Sequence, residues 1–147
     1  MANDATDQAL REWEAMQPET VRKDPLWTLN CYRESLFLID VVREDLGVLS
    51  RPASLAKAKG QLLTAVGSIS ANIAEGYGRM TLADRGKYLS YSLGSAREAS
   101  TWYRTLASTL PPEVIENRIS RLDRIRRMLL GLLARVRDGG GRTFDNW

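Results

Sequence analysis

Histidine is absent from the 147-residue sequence. Its absence removes imidazole general bases, Ser-His-Asp triads and the usual zinc sites together. Diiron carboxylate bundles pair Glu with His three residues on, so that use of a helical bundle is excluded as well. Cys31 is the one cysteine, which rules out an internal disulfide and a thiolate metal cluster. Set among apolar residues, it reads as a small buried hydrophobe rather than a reactive thiol. Long apolar runs are also missing. The longest, around Leu36 to Val42 and Met128 to Leu133, are far too short to span a bilayer. The N-terminus, MANDATDQAL, has neither a basic start nor an apolar stretch, so no signal peptide is expected and a cytoplasmic location is.

What is present suits one domain, long enough to bury about two-thirds of its unfolded surface. The net charge of +3 conceals a segregation. Residues 1–50 hold five basic against ten acidic residues, net −5, whereas residues 51–137 hold fifteen against six, net +9. An acidic first third joined to a basic remainder implies a polyanionic partner or a self-complementary contact, beside the plainer reading of solvated helix faces.

Proline and glycine divide the chain into four long segments. Asp24 before Pro25 forms a helix start, with an N-cap acid and a proline where no N–H is needed. Leu29, Tyr32, Leu36, Ile39 and Leu46 follow at helical steps, and this helix should end at Gly47. After Ser50, Arg51 and Pro52, a second helix carries Leu55, Ala58, Leu62, Ala65, Val66, Ile69 and Ile73 on one face. Gly76 and Gly78 are expected to end it in a left-handed cap. Thr81 and Asp84 have the spacing of a variant capping box that opens a third helix. Its stripe is Leu89, Ser92, Ala96, Ala99, Tyr103, Leu106 and Leu110. Pro111 and Pro112 break the chain again, and a fourth helix runs to about Arg137 on Ile119, Leu122, Leu129, Leu133 and Val136. No strand period occurs.

These segments predict an all-α fold, an up-down-up-down antiparallel four-helix bundle over residues 24–137. Residues 1–23 form an acidic arm with at most a short helix around Gln8 to Met16. Residues 138–147, DGGGRTFDNW, read as a flexible Gly-rich tail, or as an aromatic anchor through Phe144 and Trp147.

The most unusual stretch is SISANIAEGYGR, residues 68–79. Ser68, Asn72, Glu75 and Arg79 fall on one polar stripe beside the apolar face. Ser95, Glu98 and Trp102 form a similar stripe on the third helix. Arg126 shares a seam with Leu122, Leu129 and Leu133, so it needs a partner, for which Glu75 and Glu98 are the candidates. Arg121, Arg124 and Arg135 share one face of the fourth helix, read as its outer face and as a candidate phosphate-binding surface. Ser68, Glu75 and Tyr77 have no base, metal set or phosphate loop beside them. The chain is therefore expected to be non-enzymatic, with no cofactor and no metal.

The run S-I-x-x-N-I-A-E-G-x-G-R, followed by Gly94, Ser95 and Glu98, resembles the four-helix-bundle family first found as reading frames inside 23S rRNA intervening sequences. Leu29 with Tyr32, and Gln61-Leu62 ahead of Asn72-Ile73, agree. The resemblance covers about Leu26 to Arg137. It implies a homo-oligomer, a pentameric barrel. Through related bundles that serve diversity-generating reverse transcriptases, it also implies an accessory role with a reverse transcriptase and nucleic acid as partners. The family usually has a basic pair directly after Gln-Leu, where this chain has Leu63 and Thr64. A protein-interaction scaffold with no nucleic-acid role is the alternative. On either view Asn72, Glu75, Gly76, Gly78 and Arg79 are structural in the first place and functional through assembly.

Overall fold

The computed structural model describes residues 2–49 and 53–139, with side chains from Asp7 onward. Ser50 to Pro52 and the tail with Phe144 and Trp147 lie outside the described residues. Six α-helices follow in order: α1 (Ala2–Met16), α2 (Glu19–Arg22), α3 (Asn30–Val48), α4 (Ala53–Tyr77), α5 (Leu82–Thr105) and α6 (Pro112–Arg137). Among the described residues there is no strand, so the protein is all-helical. No described helix is long and apolar enough to cross a membrane.

Helices α4, α5 and α6 largely bury the stripes that their periods predict, but α3 does not. It buries Cys31, Phe37, Leu38, Val41 and Val42, whereas Tyr32, Leu36, Ile39 and Leu46 of the expected stripe are only partly buried. Leu62, Val66, Ile69 and Ile73 of α4 are wholly buried, as are Leu89, Ala96, Ala99 and Tyr103 of α5 and Leu122, Ile125 and Leu129 of α6. The contact between α4 and α5 is the most extensive in the chain. Small residues on both faces, Ala65 against Ala96 and Ala99 among them, let the two backbones approach. The approach is close enough for the Ser92 hydroxyl to donate to the Ile69 carbonyl across the helices at 2.9 Å. Consecutive long helices pack together, and α3 also packs on α6.

Three boundaries differ from expectation. The segment after Asp24 does not enter an α-helix directly. Pro25–Thr28 is a 3-10 turn, capped where the Asp24 carboxylate accepts the Leu26 N–H at 2.9 Å. Leu29 is extended and buried, and α3 begins only at Asn30. Helix α3 then runs one residue past Gly47. The acidic arm is also more ordered than its sequence suggests, since α1 is a 15-residue helix.

A further difference concerns the glycine elbow. Gly76 lies buried inside the last turn of α4, and neither it nor Gly78 has a positive φ; among the described residues only Gly139 does, at 71°. Other groups close the turn. The Gly78 N–H donates to the Ala74 carbonyl at 3.2 Å, and Arg85 Nε donates to the Arg79 carbonyl at 2.9 Å. Thr81 accepts the Asp84 N–H at 3.1 Å, as the capping-box spacing predicts. Since side chain and cap groups satisfy the elbow, no left-handed residue is required there.

A methyl group added at Gly78 would meet only carbonyl oxygens at ordinary van der Waals distance. Gly78→Ala should therefore change stability by no more than about 0.5 kcal/mol. Gly139→Ala should cost up to about 1 kcal/mol, because it forces a side chain into the left-handed region. Thermal denaturation of the two variants decides; a large loss at Gly78 would contradict the elbow described.

Candidate functional site

Two carboxylates occupy the apolar face of α3, where its period would place hydrophobes. Glu34 is 1% exposed and Asp45 is 7% exposed. A buried carboxylate needs charged donors within hydrogen-bond reach, and α6 supplies them. Arg121 Nη1 donates to Glu34 Oε1 at 2.6 Å, and Arg124 Nη2 donates to Glu34 Oε2 at 2.6 Å. One helical turn separates the two arginines, so a single carboxylate spans both. Eleven residues along α3, Arg118 grips Asp45 through Nε and Nη2, each at 2.9 Å. The Tyr103 hydroxyl of α5 completes that group by donating to Asp45 Oδ2 at 2.8 Å.

Burial sets the direction of ionisation at these groups. It lowers the Arg121 guanidinium, and the charge and bond of Glu34 offset this only in part. Arg118 is likewise lowered by burial, but the bonds and charge of Asp45 outweigh it and raise the group. Both guanidiniums remain charged at any ordinary pH. Burial, reinforced by the Asp45 charge, drives the Tyr103 phenol upward. Burial also pushes the Cys31 thiol up to about 11, which fits the inert role expected of it.

Helix α1 sits on the outer side of the Glu34 cluster. Its Asp7 accepts from Arg124 Nη1, and its Glu14 accepts from Arg33 Nε of α3 at 2.6 Å. Between them Trp13 is inserted. Its indole N–H donates to Asp40 Oδ2 at 2.8 Å. Its ring stacks on Trp27 at 6.0 Å and meets Phe37 edge-on at 5.6 Å. The Arg121 guanidinium lies 4.6 Å over the Phe37 ring, so aromatic and ionic layers interlock. A cleft of about 440 Å³ remains between α1, α3 and α6, lined by Arg11, Asn30, Arg33, Arg124 and Met128 among others.

The structure therefore corrects the reading of Arg121, Arg124 and Arg135 as an outer phosphate-binding face. They do share one side of α6, but that side is turned toward α3. Arg121 is 4% exposed and Arg124 is held by two carboxylates; Arg135 alone of the three is exposed. Sequence reasoning missed Glu34, Asp45 and Arg118 altogether. The available signal was the position of Glu34 and Asp45 on the same stripe as Cys31, Leu38 and Val42.

The elbow residues satisfy themselves locally. Arg79 donates to Glu75 one turn earlier, and to the Tyr88 hydroxyl at 2.9 Å while lying 4.6 Å over that ring. Asn72 donates to the Ser68 carbonyl at 2.8 Å, Ser95 to the Tyr91 carbonyl at 3.0 Å, and Trp102 Nε1 to Glu98 at 3.2 Å. Arg126 does not reach Glu75 or Glu98; it bonds to Asp123 at 2.7 Å, a turn away on its own helix. Its Nε is buried without an acceptor. Both expected partners are engaged elsewhere, which is why the predicted cross-helix pair does not form. Among the described residues no group of three or more Asp, Glu or Cys side chains is placed to hold a metal.

Comparison with known proteins places this arrangement. The model of the 23S rRNA-intervening sequence protein family matches residues 29–131, and the chain belongs to that family. The match takes in both buried ion clusters and leaves α1 outside. A solved protein of unknown function from the S23 ribosomal protein family of Bacteroides thetaiotaomicron shares the fold. It is 23% identical, with a TM-score of 0.65 over 70% of this chain and 97% of that one. No curated protein sequence matches.

Glu34→Ala should destabilise the protein by about 3–5 kcal/mol, because it takes the carboxylate away from the buried Arg121 guanidinium. Glu34→Leu combined with Arg121→Met should recover much of that loss, since Arg124 keeps Asp7. Urea denaturation checks both. A Glu34→Ala protein as stable as the parent would show that the cluster is not structural.

The arm responds to acid. The hydrogen bond from Arg124 is the largest influence on Asp7 and holds its carboxyl below the ordinary value of 3.8; partial burial opposes it, and the charges of Arg124, Arg11 and Arg121 assist. A depressed carboxylate contributes its attraction in full above the unfolded value and loses it as pH falls through the folded value. The Trp13 indole N–H resonance should therefore stay constant from neutral pH to about 4 and weaken below it. Asp7→Asn should flatten that dependence; an identical acid response in the variant would show that Asp7 is not the group that titrates.

Proposed function

We propose that the chain is a non-enzymatic scaffold, an up-down-up-down antiparallel bundle of α3 to α6 that assembles with copies of itself and offers its surface to protein partners. The observation that carries this is where the charge goes. The acidic first third and the basic last helix neutralise each other inside one chain, through Asp7 and Glu34 on Arg121 and Arg124 and through Asp45 on Arg118. Three basic residues of that segregation are thereby spent on the fold, which lowers the excess of residues 51–137 from +9 to +6. The circuit of contacts from α3 through α6 and back to α3 supports the up-down order.

Self-assembly draws support from the apolar surface left outward. Met80, Val48 and Leu130 are more than half exposed and Tyr91 is nearly so. A soluble helical protein with large apolar groups on several faces gains by burying them between subunits. Five copies is the number that the family resemblance implies, and a reverse transcriptase is the partner it implies; a cytoplasmic site of action goes with both.

One observation keeps a nucleic-acid role as the second reading. Arg127, Arg135 and Arg137 are exposed on the C-terminal half of α6, where phosphates could be neutralised without sequence readout. Light scattering and a mobility-shift assay separate the two. The scaffold predicts an oligomer at micromolar concentration and no shift of RNA or DNA near ~150 mM salt. A monomer overturns it. A shift that falls steeply with salt, and that is lost when Arg127, Arg135 and Arg137 are changed to Glu, puts the nucleic-acid role in its place.

A further inference from the structure

Helix α1 is held unlike any other helix in the chain. Among its described side chains it buries one, Trp13, and packs Leu10 in part, while Met16 is exposed. The rest of its grip is polar: Asp7 on Arg124, Glu14 on Arg33, and the Trp13 indole on Asp40. Asp7, Leu10 and Glu14 lie at helical spacings of three and four, with Trp13 beside them, so one face carries the whole contact. The fit is also incomplete. A cleft of about 440 Å³, open to solvent, lies where α1 meets α3 and α6.

The surface beneath is arranged without α1. Arg121 and Arg124 keep Glu34 when Asp7 is gone, and Arg121 keeps its seat on Phe37. Arg33 keeps Asn30 and the Trp27 carbonyl when Glu14 is gone. Removing α1 would therefore uncover a formed groove, with two arginines each short of a carboxylate, an aromatic floor of Phe37 and Trp27, and a carboxylate, Asp40, short of a donor. The family match covers the groove residues on α3 and α6 and not α1.

We propose that the α3–α6 groove is a recognition groove for an acidic amphipathic helix of a partner protein, and that α1 fills it in cis until displaced. The fitting partner presents a carboxylate, an apolar residue three positions on, an indole three further, and a second carboxylate next to it. This groove gives the scaffold proposed above a specific docking surface, and it rests on that reading only for the sense of having a partner. An intramolecular occupant lowers apparent affinity by the fraction of time it is bound, so release of α1 should reveal binding.

The test uses the full chain and a fluorescent, N-acetylated peptide of residues 2–17 as the probe. A triple variant, Asp7→Asn, Trp13→Ala and Glu14→Gln, removes all three anchors while leaving the groove residues in place. Hydrogen exchange reports whether its α1 amides lose protection while α3 to α6 keep theirs. A second variant, Asp7→Lys with Glu14→Lys, retains Trp13 and serves where the triple variant does not fold. The probe should bind the released chain at least tenfold tighter than the parent chain. A peptide with Lys in place of Asp7 and Glu14 should bind at least tenfold weaker than the native peptide, and raised salt should weaken only the native one. The proposal is overturned if α1 stays protected in both variants, if the released chain binds the probe no better than the parent does, or if native and charge-reversed peptides bind alike. Each of these outcomes leaves the light-scattering test of the oligomeric state untouched, so the groove and the scaffold stand or fall separately.

Discussion

A carboxylate taken out of water destabilises a fold by several kcal/mol unless charged donors replace its hydration. Glu34 has two, one on each oxygen, both from α6 and both at 2.6 Å. That fork fixes the register between α3 and α6, for a slip of one helical turn would place Arg121 or Arg124 alone on the carboxylate and strand the other. Apolar contacts tolerate such slips far better, since leucines on successive turns are interchangeable. The Asp45 cluster repeats the constraint eleven residues away and adds α5 through Tyr103. Two buried ionic points on the same pair of helices determine both their offset and their rotation. The hydrophobic stripes then supply attraction to an arrangement whose geometry is already specified.

Helical period made the four long elements legible in the sequence, with the buried stripes of α4, α5 and α6, because that period is local. On α3 it pointed to Tyr32, Leu36 and Ile39, beside the face that is buried. Leu62, Val66, Ile69 and Ile73 repeat at steps that only one helix face satisfies, and all four are buried. The Thr81 cap was legible for the same reason, since its partner Asp84 is three residues away. Glu34 and Arg121 were not, since their contact joins residues 87 positions apart. Polarity alone assigns an isolated arginine to the solvent side of a helix. What reverses the assignment is a carboxylate sitting on the apolar stripe of a different helix, and only the tertiary arrangement supplies that.

The Arg126 case shows the converse error. A charge on an apolar seam does need compensation, but the chain met that need locally, through Asp123 on the same helix. Glu75 and Glu98 were available by position, yet each had a neighbour four residues away: Arg79 for one, Trp102 for the other. Partners within one helical turn are ordered by the helix itself and lose little further entropy on pairing. Long-range pairs form where the local option is missing, as it is for Glu34, whose arginines lie on another helix. The distinction between local and distant partners therefore separates the polar stripe around the elbow from the clusters that hold the core.

Charge segregation along a chain carries different meanings in a helical fold that returns on itself. When the acidic and basic segments lie on helices that end up adjacent, part of the segregation is consumed internally, and the surface is less polarised than the sequence. Helix α6 shows the division within a single element. Its side toward α3 spends Arg118, Arg121 and Arg124 on carboxylates, while Arg127, Arg135 and Arg137 are exposed. Helix α1 stands at the boundary between these two uses, since its Asp7 balances the one positive charge that Glu34, Arg121 and Arg124 leave, on an arginine still partly open to water. An element that completes a charge balance without being needed to establish it can leave at a modest cost, whereas α3 cannot leave α6 at all. The difference in attachment follows from which carboxylate was buried first in the logic of the fold: Glu34 lies beneath, and Asp7 lies on top.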